Sequence, residues 1–311
     1  SGDLAPQDAA WFRKIMSDCI LCPRACHADR LDGGVGYCGQ TADIMAARAS
    51  LHYWEEPCIS GTSGSGTVFF SGCNLRCVFC QNHNIALGKA GRVITPEHLV
   101  KIFLQLQEQG ANNINLVTPT HFLPQIVIAL EQAKQQGLHL PIVYNTSSYE
   151  SPEALHHLEG LVDIYLPDLK YFSPELSTAY SHAPDYFETA CAAISEMYRQ
   201  VGDSVIDEDT GLMQHGMIVR HLLLPGQTKD SKKILRYLHE TYGDHIYISI
   251  MNQYTPLPQV ADIEVLNRTV TPEEYDRVLR FAERIGIERG FRQEGTAASE
   301  SFIPEFDERG L

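Results

Sequence analysis

The 311-residue sequence is poor in basic residues, with 24 Lys and Arg against 39 Asp and Glu, so its formal net charge is −15. A protein whose main task is to grip a nucleic-acid backbone needs the opposite balance, because phosphates attract Lys and Arg. The charge therefore excludes nucleic acid as the main partner.

The sequence also lacks long apolar runs and the marks of export. No run approaches the roughly 18 apolar residues of a membrane-spanning helix. Residues 1–12 show neither the basic nor the apolar region of a signal peptide. We expect a cytoplasmic protein with no membrane partner, and its 44% of hydrophobic residues is enough for a globular core.

Cysteine, by contrast, is abundant, and seven of the nine cysteines fall in two clusters before residue 81. Clustered cysteines in a reducing compartment indicate metal ligation rather than disulfide bonds. The two remaining cysteines are predicted to be structural, Cys191 within an amphipathic helix and Cys58 in a loop that leads toward the second cluster.

Six apolar, strand-like runs alternate with amphipathic helical stretches along the chain. The runs cover residues 67–71, 113–118, 141–146, 162–170, 217–225 and 246–254. Such alternation predicts a parallel sheet covered by helices, and right-handed crossovers curl it toward a partial (β/α)6 barrel of the TIM type. Active sites of such folds lie at the carboxyl ends of the strands.

Cys73, Cys77 and Cys80 follow the first of these strands in the stretch "SGCNLRCVFCQN", with the spacing C-x3-C-x2-C. Four cysteines normally close an iron–sulfur cube, whereas three leave one iron with an open coordination position that can hold a substrate. The alternatives are a zinc knuckle, or a closed cluster that borrows a distant cysteine.

The same stretch resembles the cluster-binding loop of the radical S-adenosylmethionine (SAM) enzymes, including the aromatic Phe79 before the last cysteine. In that family a 4Fe-4S cluster passes an electron to the sulfonium of SAM, and the 5′-deoxyadenosyl radical then abstracts hydrogen. Further stretches, from "HYWEEPC" to "ISIMNQYTPL", resemble homologues of the pyruvate formate-lyase activating enzyme. The resemblance implies a 4Fe-4S cluster on Cys73, Cys77 and Cys80. It also implies three partners, which are SAM, a flavodoxin or ferredoxin as electron donor, and a protein or peptide substrate.

Several positions acquire roles from this resemblance. Asp168 and Lys170 match the family's Asp-x-Lys motif near the methionyl end of SAM, and the backbone around Phe79 would border the adenine. Arg220 matches an arginine that can reach the SAM carboxylate with its planar fork. The alternatives are a turn or helix-cap role for Asp168 and a structural ion pair for Arg220.

Two strand ends depart from the family pattern. Asn145, followed by Thr146, replaces the acidic residue that begins an Asp-Thr-Asn-Gly motif and helps to hold a monovalent cation. The stretch "VTPTH" replaces a Gly-Gly-Glu motif that meets the SAM ammonium, so that Thr118, Thr120 and His121 offer neutral groups but no anion. The sequence thus predicts a different grip on SAM, and His121 has the alternative role of a locally bonded helix-terminal residue.

The first cysteine cluster contains Cys19, Cys22, Cys26 and Cys38, spaced C-x2-C-x3-C-x11-C. Four thiolates make a complete set for zinc or for a second 4Fe-4S cluster, and the sequence does not separate the two metals. The alternative is four free thiols.

We divide the chain into an N-terminal metal-binding segment (1–60), a radical SAM barrel (61–286) and an irregular C-terminal extension (287–311) that covers the barrel or binds a partner. Within the first segment, Glu55 and Glu56 lie close to His52. These carboxylates are read either as groups that position a substrate amine or transfer protons, or as solvated surface charges.

Three functions are compatible with these features. The first is a radical SAM enzyme that activates a glycyl radical enzyme. The second is a radical SAM enzyme that modifies a small molecule or a peptide. The third is a non-catalytic iron–sulfur redox or scaffold protein, which the open iron position argues against.

Overall fold

The structure, a computed structural model, describes residues 6–293 and 308–311. Its helices are α1 Pro6–Ser17, α2 Pro57–Ser60, α3 His83–Ala86, α4 Pro96–Glu108, α5 Leu123–Gln135, α6 Pro152–Leu155, α7 Pro174–Ser181, α8 Tyr186–Val201, α9 Thr228–Tyr242 and α10 Pro272–Arg284. Its strands are β1 Ile44–His52, β2 Ser65–Phe70, β3 Arg92–Ile94, β4 Ile114–Val117, β5 Ile142–Thr146, β6 Ile164–Pro167, β7 Val205–Ile206, β8 Met213–Leu222, β9 Tyr247–Met251 and β10 Gly290–Arg292.

Six parallel strands form the centre of the sheet, and they are the six strands that the sequence predicts. Strands β2, β4, β5, β6, β8 and β9 lie side by side in chain order, and every neighbouring pair is parallel. The edge strands β3 and β10 do not pair with each other in the part of the chain that the structure describes. The sheet is therefore open, which confirms the expected partial barrel.

Four further strands were not predicted. The longest, β1, runs antiparallel to β2 and also pairs with the three-residue β3. Its sequence, IMAARASLH, contains three alanines and an arginine and has little intrinsic strand preference. Pairing with the fully buried β2 stabilises it instead, and residues 44–52 thereby join the barrel sheet.

The crossover helices follow their sequence signals closely. In α4 the side chain of Thr95 caps the first turn by accepting a hydrogen bond from the His98 N–H at 3.1 Å, and Pro96 occupies the first turn. The helix buries Leu99, Phe103 and Leu106 with two further apolar residues of the same face. Each such side chain contributes roughly 1.5–3 kcal/mol by leaving water.

The C-terminal region corrects one expectation. Residues 287–311 were predicted to be irregular, but Gly290–Arg292 forms β10, parallel to β9. Residues 294–307 lie outside the described residues. At the end of the chain, the Glu308 N–H donates to Ala47 O at 3.0 Å, and the Ala49 N–H donates to Arg309 O at 2.8 Å. Residues 308–309 therefore lie along β1.

No helix among the described residues has both the length and the apolar character needed to cross a membrane.

Candidate functional site

A cavity of about 280 Å³ opens at the carboxyl ends of the central strands. Its wall includes the thiols of the second cysteine cluster and side chains from the ends of β4, β5, β6 and β8. All the residues predicted from the resemblance to contact a cofactor line it: Cys73, Cys77, Phe79, Cys80, Thr118, Thr120, Asn145, Thr146, Asp168, Lys170 and Arg220.

The cysteine loop leaves β2 through a tight turn at Gly72. Its φ of +87° lies in the left-handed region, and a Cβ at this position would lie 2.8 Å from the Cys38 carbonyl oxygen. The preceding carbonyl, that of Ser71, accepts a hydrogen bond from His121 Nε2 at 2.6 Å. Burial lowers the pKa of His121 to about 3, so this imidazole is neutral and supports the loop from behind.

The sulfur atoms of the loop accept hydrogen bonds. The Leu75 N–H donates to Cys73 Sγ at 3.3 Å, and the Ser181 hydroxyl donates to Cys77 Sγ at 3.0 Å. Burial raises the pKa of Cys73 and raises the pKa of Cys80 to about 12. Thiolates at these positions therefore need a metal as counter-ion. Three soft sulfur atoms with nearby hydrogen-bond donors fit an iron–sulfur cluster.

The ring of Phe79 packs in an aromatic cluster. The ring meets Tyr171, Tyr180 and Tyr254 edge to face, with centroid distances of 6.3, 6.2 and 6.1 Å. This packing fixes the last turn of the cysteine loop, because the side chain is 5% exposed.

Asp168 and Lys170 follow β6 and form an ion pair, with Lys170 Nζ 3.1 Å from Asp168 Oδ2. Burial by itself would lower the pKa of Lys170, but the adjacent Asp168 carboxylate raises it above its ordinary value. The next helix, α7, has Ser173 as its N-cap, so Asp168 does not cap it. The Asp168 N–H instead donates to Thr146 O at 2.8 Å and joins the ends of β5 and β6.

Arg220, on β8, is held by two carboxylates. Its Nε lies 2.9 Å from Glu56 Oε1, and its Nη2 lies 2.6 Å from Glu56 Oε2 and also contacts Glu55. Burial would raise the pKa of Glu56, but the guanidinium lowers it below its ordinary value. Arg220 thus forms the ion pair that was the alternative to a ligand role, while still lining the cavity.

The carboxylates of Glu55 and Glu56 are buried rather than solvated, with side chains 10% and 6% exposed. Glu55 also accepts a hydrogen bond from Asn115 Nδ2, on β4, at 3.3 Å, and lies 3.8 Å from His52 Nε2. Burial lowers the pKa of His52. The reading of these glutamates as surface charges is therefore wrong, because α2 and β1 fold them over the ends of β4 and β8.

Sequence reasoning missed Glu150. This fully buried carboxylate accepts hydrogen bonds from Thr146 Oγ1 at 2.7 Å and from the Tyr144 hydroxyl at 3.1 Å, and it also bonds Thr120. Burial raises its pKa to about 7. The only signal in the sequence was an acidic residue soon after a buried strand, within "YNTSSYE". Glu150 therefore fixes the hydroxyl groups of Thr120 and Thr146, two residues that line the cavity.

Thr118 and Asn145 stand at neighbouring strand ends. The Thr118 N–H donates to Asn145 O at 3.1 Å, and Thr118 has a φ of +56°, a conformation that is uncommon for a β-branched residue. Strained backbone of this kind persists where the surrounding structure enforces it.

The N-terminal cysteines lie against the cysteine loop. Cys22 interacts with Cys19 and Cys38, and Cys38 interacts with Cys19 and Cys26, so the four thiols are neighbours. Among residues 6–293 and 308–311, no group of three or more His, Cys, Asp or Glu side chains is arranged to hold a single metal ion. A metal at these cysteines stays a prediction.

Comparisons with known proteins give a family match and two similar sequences. Residues 67–238 match the Radical SAM superfamily. An uncharacterized protein of Methanocaldococcus jannaschii is 27% identical over 286 residues, which cover 89% of this chain and 77% of that protein. The pyruvate formate-lyase-activating enzyme of Clostridium pasteurianum is 30% identical over 121 residues, which cover 36% of this chain and 48% of that enzyme.

Among solved structures, SuiB of Streptococcus suis bound to S-adenosylmethionine is similar with a TM-score of 0.49 and 12% identity, over 72% of this chain and 49% of SuiB. The chain thus spans about half the length of SuiB and of the clostridial enzyme. The family match begins within β2, includes the whole cysteine loop and ends in α9. The chain therefore belongs to the radical SAM superfamily.

Proposed function

We propose that Cys73, Cys77 and Cys80 hold a 4Fe-4S cluster beside a SAM molecule bound in the cavity. The cluster would supply the electron that cleaves SAM to a 5′-deoxyadenosyl radical, which takes hydrogen from a second molecule. The observation that supports this function is the gathering of three thiols and all eight predicted cofactor contacts around one cavity.

The chain's own residues would orient SAM. The backbone beside Phe79 borders the adenine, and the Asp168–Lys170 pair stands near the methionyl end. Two nitrogens of Arg220, Nε and Nη2, already donate to glutamates. Its Nη1 is therefore the nitrogen that we propose for the SAM carboxylate.

Glu55 is proposed to compensate for the anion that is missing at the end of β4. It lines the cavity and is tied to β4 by the hydrogen bond from Asn115. The Arg220 guanidinium faces the two carboxylates of Glu55 and Glu56. This group of three side chains therefore keeps an excess of negative charge, which would attract the cationic SAM. Thr118, Thr120, Asn145 and Thr146 would then offer neutral oxygens only.

For the second molecule, the first candidate is a glycyl radical enzyme. Similarity to the clostridial activating enzyme over 121 residues supports this assignment. An electron donor of the flavodoxin or ferredoxin class would complete the reaction in the cytoplasm, where SAM and such donors occur.

The second candidate is a peptide or small-molecule substrate. The two departures from the activating-enzyme pattern, Asn145 on β5 and Thr118–Thr120 after β4, favour it, because they alter the part of the site nearest to SAM. Under this candidate the radical chemistry is the same and only the hydrogen donor differs.

The first test is the release of 5′-deoxyadenosine by anaerobically reconstituted protein given SAM and a strong reductant. We expect release by the wild type, background levels from the Cys73→Ala/Cys77→Ala/Cys80→Ala variant, and wild-type release from the control Cys191→Ala. A triple variant that releases 5′-deoxyadenosine at the wild-type rate would refute the cluster assignment.

The hydrogen donor is tested by electron paramagnetic resonance of candidate glycyl radical enzymes incubated with the reduced protein and SAM. A glycyl radical signal supports the first candidate. No signal from any glycyl radical enzyme encoded in the same genome sinks that candidate in favour of the second.

A further inference from the structure

The buried arginine Arg30 has no acidic partner among the described residues. Its side chain is 1% exposed and is among the largest fully buried side chains of the described residues. Its Nε donates to Gln40 O at 3.0 Å, its Nη2 to Thr41 O at 2.9 Å, and its Nη1 to Cys19 Sγ at 3.8 Å. The buried Arg220, by contrast, is neutralised by two glutamates.

A buried guanidinium without a counter-ion is strongly unfavourable. Carbonyl oxygens satisfy the hydrogen bonds of Arg30 but do not balance its charge. The atoms beside it that can carry negative charge are the sulfurs of Cys19, which it contacts, and Cys38, with which it interacts electrostatically. Four thiolates around a metal centre carry a net negative charge and would supply the missing anion.

The segment that carries these cysteines is clamped onto the Cys73–Cys80 loop. The side chain of Cys22 is hydrogen-bonded to Asn74, the residue after Cys73. Arg24 Nε donates to Asn74 O at 2.8 Å, and the Tyr37 hydroxyl donates to Leu75 O at 3.3 Å. The side chain of Asn74 and the peptide bond between Cys73 and Asn74 therefore link the Cys22 thiol to the residue that carries the Cys73 thiol.

We propose that Cys19, Cys22, Cys26 and Cys38 hold a second 4Fe-4S cluster, that Arg30 balances its charge, and that this cluster passes electrons to the cluster on Cys73, Cys77 and Cys80. The transfer rests on the proposed function, whereas the second cluster does not. A zinc ion at the same thiolates would balance Arg30 equally well, but it could not use the short link to Asn74, because zinc has no redox chemistry.

The electron balance of the transfer is simple. One electron leaves the N-terminal cluster, which is oxidised, and enters the second cluster, which is reduced. A reduced flavodoxin- or ferredoxin-class protein then restores the N-terminal cluster with one electron. No atom is transferred in this step.

The first measurement counts iron, acid-labile sulfide and zinc in the full chain after anaerobic reconstitution. We expect about eight irons per wild-type chain and about four in the Cys73→Ala/Cys77→Ala/Cys80→Ala variant. A triple variant with zinc and no iron, or with no metal, overturns the proposal. The wild-type count answers the same question if the variant does not fold, because about four irons would also overturn it.

The role of Arg30 is tested in the same triple variant by a redox titration followed by electron paramagnetic resonance. Arg30→Met should shift the midpoint potential of the remaining cluster to more negative values, because removing a buried positive charge disfavours the added electron. Arg30→Lys, which keeps the charge, and Arg199→Met, an exposed arginine, should leave the potential close to its starting value. An unchanged potential in Arg30→Met overturns the role of Arg30.

The transfer itself is tested with reduced flavodoxin as the donor. A Cys22→Ala/Cys26→Ala variant that retains about four irons should form 5′-deoxyadenosine at least tenfold more slowly than the wild type, whereas Cys191→Ala should match the wild type. Equal rates in the double variant and the wild type overturn the transfer. If the wild type forms no 5′-deoxyadenosine while it carries about eight irons, the proposed function fails and the second cluster stands.

Discussion

At the scale of single residues, the chemistry of the site depends on buried charges and on how each is balanced. Arg220 faces Glu55 and Glu56, Lys170 faces Asp168, and Glu150 is surrounded by hydroxyl donors. Each arrangement lies within or directly behind the cavity wall. These residues therefore couple the stability of the barrel to the shape of the site.

Arg220→Met should lower the free energy of unfolding by roughly 3–5 kcal/mol, because it leaves two buried carboxylates without a counter-ion. Urea denaturation at pH 7 measures this loss. The Arg220→Met/Glu55→Gln/Glu56→Gln variant should recover a large part of it, since the unpaired charges are gone. If the triple variant is as unstable as Arg220→Met, lost packing rather than lost charge balance explains the effect.

Glu150 should make the stability depend on pH. Its pKa is raised from 4.5 to about 7 in the folded protein, so the folded chain binds more protons than the unfolded chain between these values. The wild type should therefore lose up to roughly 3 kcal/mol of stability, relative to Glu150→Gln, as the pH rises from 4.5 to 7.

Unfolding curves of the wild type and Glu150→Gln across this pH range provide the test, with the exposed Glu108→Gln as the matched control. The difference between wild type and Glu150→Gln should grow with pH and then level off above pH 7. A difference that stays constant from pH 4.5 to 8 would show that the pKa of Glu150 is not raised in the folded protein.

At the scale of elements, helix termini carry clear sequence signals and the added strands do not. Helix α10 begins with a capping box, in which Thr271 accepts a hydrogen bond from the Glu274 N–H and the Glu274 carboxylate accepts one from the Thr271 N–H. Glu274 also accepts hydrogen bonds from the Gly226 N–H and from Arg268. The start of α10 therefore organises the loop that follows β8.

Thr271→Ala should destabilise the protein by about 1 kcal/mol, because the Glu274 N–H loses its capping oxygen. The shift of the urea midpoint measures the loss, and Thr269→Ala, at an exposed position two residues earlier, is the matched control. A Thr271→Ala midpoint that equals the control's would mean that water replaces the cap at no cost.

At the scale of the whole molecule, Arg24 is one of the residues that join the four-cysteine region to the barrel. The Arg24 guanidinium donates hydrogen bonds to Asn74 O, Ser181 O and His182 O at 2.8, 3.0 and 2.6 Å. Its Cζ atom lies 3.9 Å from the centroid of the Tyr37 ring. These contacts link the cysteine loop, the end of α7 and the N-terminal segment in one place.

Arg24→Met should loosen the N-terminal segment without unfolding the barrel. Losing charge-assisted hydrogen bonds to three carbonyls should cost roughly 2 kcal/mol. Limited proteolysis should then cleave residues 18–43 several-fold faster than in the wild type, while Arg13→Met, in the exposed part of α1, should not change the rate. Unchanged proteolysis in Arg24→Met would place the clamp in other contacts.

Local signals explain why much of the fold was predictable. The six central strands are continuous apolar runs, which are typical of strands buried on both faces of a parallel sheet. Helix α4 carries both its cap and its apolar face within its own sequence. In contrast, β1 is alanine-rich and β3 has only three residues. The strand β1 exists because β2 offers it a partner edge, and β3 exists because β1 offers the next one. Pairing between distant segments leaves no local pattern.

For the candidate site the sequence by itself determined the spacing of the thiols, the strand that presents them and the family, because ligand spacing and strand ends are local properties. The tertiary structure alone decided which charges meet. It placed Glu55 and Glu56 on Arg220, which lies 165 and 164 residues further along the chain, and it brought Glu150 behind Thr146. Such encounters depend on crossovers that bring distant strand ends to one edge of the sheet, and no short stretch of sequence records them.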